Sequence, residues 1–137
     1  MIEINNLTTN PIDEEFLRKV AKKVLKDENK GGADLSIALV GQGRIRELNK
    51  KYKRKNRATD VLAFPDQNLG LGEIIICLRE VKKNAERFKS SLEKELARVL
   101  IHGILHLLGE NHEKSEKQAK KMEIKENHYL KIIFNKI

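Results

Sequence analysis

VLIHGILHLLGENH, residues 99–112, decides how the rest of the chain is read. From Val99 to Leu108 every position is apolar or glycine except His102 and His106, and His112 follows just past Gly109. A run that is apolar nearly all round is a helix buried in the middle of a fold. Two imidazoles four residues apart share one face of that helix, about 6 Å apart along its axis at the usual rise per residue. Without polar partners, such a buried pair carries a large desolvation cost, which a shared metal ion offsets. Gly109 suits a helix C-cap, where a left-handed backbone reverses the chain and turns His112 back toward the first two histidines. The pattern is H-x-x-x-H-x-x-G-x-x-H. Structural zinc normally takes four protein ligands, whereas three ligands and an open position are the catalytic arrangement. Cys77 is a conceivable fourth ligand, but a lone cysteine in IIICL is expected to be a small core residue. His128 has no partner at ligand spacing and is expected at the surface.

Working outward from this helix, Ser90 and Glu93 have capping-box spacing, so the helix is expected to start at Ser91. Upstream, IEINN (2–6) alternates as a short strand. Residues 13–28 carry Leu17, Val20, Ala21, Val24 and Leu25 at helical spacing, with acids at the front where the helix dipole favours them. ADLSIALVG (33–41) reads as a strand, GRIRELNKKY as a short helix with Ile45 and Leu48 inward, and ATDVLAFP as a strand ending at Pro65. EIIICL is apolar enough for a strand buried on both faces. Helices are expected over 79–89, 91–108 and 115–133. This order predicts an α+β domain with α/β layering: a small mixed, mostly parallel β-sheet of about four strands packed against helices, around a central buried metal-binding helix.

The chain has 137 residues, 39% of them hydrophobic, which suits one domain over residues 1–137 and is too short for two ordinary ones. MIEINNLTTN lacks the basic and apolar regions of a secretory signal, and the longest apolar run is about half of what spans a bilayer. The single cysteine precludes an internal disulfide. A soluble, cytoplasmic protein without membrane association is expected. The net charge of +8 is concentrated: residues 43–57, GRIRELNKKYKRKNR, hold eight bases and one acid, +7, leaving +1 for the rest. Such density suits a polyanion, because neutralising phosphates releases condensed counterions. Lys50, Lys51, Lys53, Arg54, Lys55 and Arg57 are therefore candidate polyanion-binding residues, nucleic acid being one such polyanion. With aromatics at only 4%, backbone electrostatics should dominate over stacking, and Tyr52 is the one stacking candidate.

The histidine spacing is also that of metzincin peptidases, which read H-E-x-x-H-x-x-G-x-x-H with the glutamate as general base. Here that position is Gly103, which offers no base and costs the helix roughly 1 kcal/mol relative to alanine. Close packing or substrate access explains a glycine there better than helix formation does. A zinc peptidase is thereby disfavoured, with Glu110 as the only displaced base within the motif.

HGILHLLGENH resembles the H-G-x-L-H-L-x-G-x-D-H signature of the YbeY family of bacterial endoribonucleases and rRNA maturation factors. LNKKYKRKNRATDVLAFP (48–65) is similar to that family's segment ending in T-D-V-L-S-F-P, and LGEIIIC (71–77) to its L-G-D-I-x-I strand. Order and spacing agree over nearly the whole chain. The resemblance implies one zinc ion per chain held by His102, His106 and His112. It implies single-strand-specific, metal-dependent cleavage of RNA in 16S rRNA 3′-end maturation and ribosome quality control. The implied partners are single-stranded rRNA and the small ribosomal subunit or its assembly factors, and no DNA is expected. Candidate catalytic residues are Lys53, Arg54 and His112. The family's functional arginine falls on Lys53, with Arg54 beside it, and lysine cannot reproduce a guanidinium fork. The family aspartate is replaced by Asn111, a neighbour placed to hold a metal ligand. The alternative class is a non-catalytic, metal-stabilised ribosome-assembly factor.

Overall fold

The computed structural model describes residues 1–66, 70–109 and 115–135. Among these residues four strands form one sheet: β1 (Ile2–Asn6), β2 (Leu35–Val40), β3 (Val61–Pro65) and β4 (Gly72–Cys77), in the order β1-β2-β4-β3. β1–β2 and β2–β4 are parallel, and β3 returns antiparallel to β4, with Val61 opposite Ile76 and Pro65 opposite Gly72. The sheet is thus mixed and mostly parallel, as the order of elements predicts.

Among the described residues five helices accompany it: α1 (Glu14–Asp27), α2 (Gln42–Lys53), α3 (Leu78–Arg87), α4 (Leu92–Leu107) and α5 (Glu116–Phe134). The strand alternation divides the core. Ile37, Leu39, Ile74 and Ile76 face the larger cluster, where they meet Leu17, Val20 and Val24 of α1 and Leu100, Ile101, Ile104 and Leu105 of α4. On the opposite face Ala38, Val40, Ile75 and Cys77 meet Ile45 of α2 and Leu62. β4 is therefore buried on both faces, which is why its sequence reads as a continuous apolar run.

α4 is the central helix, packed against α1, α3, α5, β3 and β4. Its N-cap corrects the sequence expectation by one residue. Ser91, not Ser90, accepts the N–H of Lys94: the chain leaves α3 through Lys89 in a left-handed conformation (φ 52°), Ser90 N–H still bonds back to the Ala85 carbonyl, and Ser91 has the extended geometry of a cap. At the other end Gly109 has φ 99° and its N–H bonds the His106 carbonyl, the left-handed exit that the glycine foretells.

Gly72 opens β4 at φ 148°, where a side chain would overlap the Phe64 carbonyl and reach within 2.9 Å of Leu107 on α4. Only glycine lets β3, β4 and the end of α4 meet this closely. That junction sets the distance between the helix carrying the histidines and the edge of the sheet.

Candidate metal centre and its basic wall

Gly103 fixes where α4 presents its histidines. A Cβ there would stand 3.1 Å from Ile74 side-chain atoms, so position 103 faces the sheet and the helix lies close upon β4. Any side chain at 103 would have to displace Ile74, and Gly103 also lines the cavity beside His102 and His106, so the glycine serves both close packing and open space at the site. His102 and His106 then fall on the flank of α4 toward β3. Both are half-buried, and both line one cavity of about 390 Å³ whose other side is formed by β3 and the segment that follows α2.

Glu126 of α5, itself 8% exposed, is hydrogen-bonded to His102 Nδ1. A carboxylate at Nδ1 holds the ring proton there and leaves the lone pair on Nε2, the tautomer a metal ligand needs. The two residues therefore fit a metal bound from the cavity side, with His102 oriented from behind. Among the described residues no third metal-ligating side chain joins them. His112, together with Glu110 and Asn111, lies outside the described residues. Cys77 is excluded as the closing ligand: it is fully buried on the α2 face of the sheet, away from α4, and burial pushes its thiol up in pKa.

Acids gather behind this flank. Glu95, one helical stripe up α4 from His102, is 4% exposed, with Arg98 Nε 3.4 Å away. Burial raises its pKa above the usual carboxylate range, Arg98 opposes the rise, and nearby Asp60 and Glu126 add to it. Asp60 lines the cavity and accepts a 3.3 Å hydrogen bond from Asn84 of α3. Negative charge on this side favours a cation in the cavity.

The opposite wall is basic. α2 ends at Arg54, whose left-handed backbone (φ 58°) turns the chain, and its N–H bonds the Asn49 carbonyl. Asn49, only 3% exposed, holds the following segment twice more: its carbonyl accepts Lys55 N–H at 3.2 Å and its Nδ2 donates to the Arg57 carbonyl at 3.0 Å. Arg46 Nε adds a 2.9 Å bond to Asn56 Oδ1. Held this way, Lys53, Lys55 and Arg57 line the cavity across from the histidines. Lys50, Lys51 and Arg54 are exposed but do not form its wall. Tyr52 is no core residue: it is 56% exposed and packs edge-on against Phe64. His128 is exposed, as expected.

The residues of the candidate site that sequence reasoning missed are Glu126, Asn49 and Asp60. Glu126 lies 24 residues from His102 on an amphipathic helix rich in charge, where nothing marks one glutamate among several. Asn49 carried a faint signal, being the polar residue on the inward side of α2.

With the site described, comparison with known proteins is decisive. Residues 3–133 match the family described as Endoribonuclease YbeY. The chain belongs to the YbeY family. Endoribonuclease YbeY of Sulfurihydrogenibium sp. (strain YO3AOP1) is 43% identical over 117 residues, covering 81% of this chain and 77% of that one. Endoribonuclease YbeY of Petrotoga mobilis is 38% identical over 137 residues, covering 95% and 93%. The solution structure of a Thermotoga maritima protein, 34% identical, superposes with a TM-score of 0.72 over 98% of this chain and 90% of that one. The mixed sheet packed against helices is thus a YbeY-family fold. Among the described residues no helix is long and apolar enough to cross a membrane.

Proposed function

We propose that this YbeY-family chain is a metal-dependent endoribonuclease that cleaves single-stranded RNA during rRNA processing, including 3′-end maturation of 16S rRNA, and ribosome quality control in the cytoplasm. The observation that carries the reading is the shared cavity: two imidazoles of α4 on one wall, three cations on the other. His102, His106 and His112 would hold one zinc ion, with His102 oriented by Glu126. When bound, the metal supplies Lewis-acid polarisation of a phosphoryl oxygen and lowers the pKa of water.

The chain's own residues do the rest. Lys53, Lys55 and Arg57 grip the backbone phosphates on either side of the bond to be cut, and offset charge that builds on the reacting phosphate. Of the two candidates for the family arginine, Lys53 takes the role in this reading, because its side chain lines the cavity. Arg54, spent on the turn that ends α2, holds the strand farther out with Lys50 and Lys51. Asn111 is assigned to holding His112. Glu126 keeps its proton partner, His102 Nδ1, throughout.

The test is metal analysis of the purified protein alongside cleavage of a single-stranded RNA, wild type against His106→Ala. One zinc per chain and RNA cleavage are expected for wild type, with both lost in the variant, the cleavage by about a thousandfold or more as when a ligand to a catalytic metal is removed. Stoichiometric metal with no RNA cleavage under any metal or salt condition would leave the non-catalytic assembly factor as the reading. Fragments ending in 2′,3′-cyclic phosphate identify attack by the RNA 2′-hydroxyl, and 3′-hydroxyl ends identify attack by water.

A further inference from the structure

The sheet edge inside the cavity has hydrogen-bonding capacity that the proposed chemistry does not use. β3 is the last strand of the sheet, and no strand among the described residues pairs with its outer side. Its register fixes which groups point there. Cys77 N–H donates to the Asp60 carbonyl at 2.8 Å and Asp66 N–H to the Leu71 carbonyl at 3.3 Å. With Val61 opposite Ile76 and Pro65 opposite Gly72, the residues bonded to β4 are Asp60, Leu62, Phe64 and Asp66. In an antiparallel ladder the alternate residues turn their N–H and C=O the other way. The backbone groups of Val61 and Ala63 therefore point off the sheet, and Val61, Leu62 and Ala63 line the cavity that His102 and His106 line from α4.

Resting on the RNA reading above, we infer that this edge of β3 reads an unpaired nucleobase: the Val61 carbonyl and the Ala63 N–H stand side by side to meet the Watson–Crick edge of a base lying in the cavity. The chemistry selects a base over a phosphate. A phosphate offers only acceptors and would face the strand's carbonyls unfavourably, while a base edge sets donors beside acceptors as the strand does. Phosphates have their own partners on the same cavity, Lys53, Lys55 and Arg57. In a duplex the Watson–Crick edges are already paired, so a site that must bond one accepts only unpaired RNA. Single-strand preference thus arises from backbone groups, without an aromatic platform. The same groups read any base with a neighbouring donor and acceptor, so weak sequence selectivity accompanies strong strand selectivity. The small side chain of Ala63 leaves the edge open to a flat ring.

The experiment is binding of the full, zinc-loaded chain to two fluorescein-labelled 2′-O-methyl oligonucleotides at one low salt concentration. One is built of uridines and the other of N3-methyluridines. Methylation blocks the Watson–Crick edge and keeps backbone charge and ring. Affinity for the methylated strand is expected to be about fivefold or more weaker, the loss of one or two hydrogen bonds. Ala63→Pro deletes one outward N–H and no bond to β4. It should weaken binding of the unmodified strand by a similar factor and bind both strands alike. If Ala63→Pro does not fold, the wild-type comparison alone decides. Equal wild-type affinity for the two strands would overturn the base-reading edge and leave the nuclease reading standing. Binding of neither strand would overturn both. Ala63→Pro weakening an extended peptide while leaving both oligonucleotides untouched would overturn the inference in favour of a peptide-binding edge.

Discussion

The two walls of the cavity are built on opposite principles. On one side His102 and His106 project from a helix whose inner face is fully buried and whose outer support, Glu126, is itself buried. On the other, every residue from Lys50 to Arg57 is exposed, and the segment after α2 is tied down by one buried asparagine, the Arg46–Asn56 bond and a few main-chain bonds. The difference matches what the two proposed ligands would require. A metal ion demands donors placed to a few tenths of an ångström, with their tautomers set by groups behind them. A phosphate chain is met by long cations whose point charges tolerate displacement, at a strength that salt weakens.

This contrast is broken most severely at Glu126. Glu126→Gln keeps an acceptor for His102 Nδ1 but removes the charge, and zinc affinity measured against a competing chelator should fall about tenfold. Glu126→Ala should fall by up to about 100-fold. Both variants should retain the salt dependence of RNA binding. An unchanged zinc affinity in Glu126→Ala would show that the histidines are oriented by packing alone.

The basic wall should respond in the reverse way. Lys55→Ala is expected to weaken single-stranded RNA binding a few-fold at low salt and to lower the slope of log affinity against log salt by a little under one, the contribution of about one phosphate contact. Zinc affinity should not change. A slope equal to wild type would mean that Lys55 is a solvated surface charge, the ordinary fate of a lysine in such a run.

The two walls also differed in how far the sequence revealed them. The pairing of His102 and His106 on one wall was legible because helical periodicity is local: two imidazoles four positions apart in an apolar run that ends at a glycine. The four strands and the central helix were legible for the same reason, since β-branched runs, glycine breaks and apolar stripes are written in consecutive residues. The charge of the basic wall was legible too, but not which bases face the cavity. That depends on the left-handed turn at Arg54 and on Asn49 reaching Arg57, long-range geometry with no periodic trace. Glu126 and the outward edge of β3 were invisible. One is a tertiary contact between α4 and α5, and the other depends on hydrogen-bond register, which composition does not encode. Two adjacent serines offer the same cap signal, and the backbone turn at Lys89 selects Ser91 over Ser90.

The smallest expected effect concerns what keeps the rigid wall rigid. α5 brings Glu126 to His102, and α5 is fastened to the end of α1 one helical turn away: Tyr129 donates its hydroxyl to Glu28 Oε2 at 2.5 Å, and Lys125 Nζ donates to Oε1 at 2.9 Å. Burial works to raise the Glu28 pKa, but the Tyr129 and Lys125 hydrogen bonds outweigh it and hold the carboxyl below its ordinary 4.5. Burial and the neighbouring Glu28 push the Tyr129 hydroxyl the other way, above its ordinary 10.0. Both shifts fix the sign of the pH dependence. Glu28 prefers to be ionised in the folded protein, so its contribution is present above about pH 4.5 and is lost as the pH falls through its lowered value. Tyr129 prefers to keep its proton in the folded protein, so its contribution is present below pH 10 and is lost as the pH rises beyond it. Tyr129→Phe should therefore cost about 1 kcal/mol near neutral pH, the scale of a hydrogen bond to a charged group partly offset by the remaining lysine. The difference from wild type should shrink toward both acid and alkaline pH. Denaturant unfolding at a series of pH values measures it, and a cost independent of pH would mean that Tyr129 contributes only its ring.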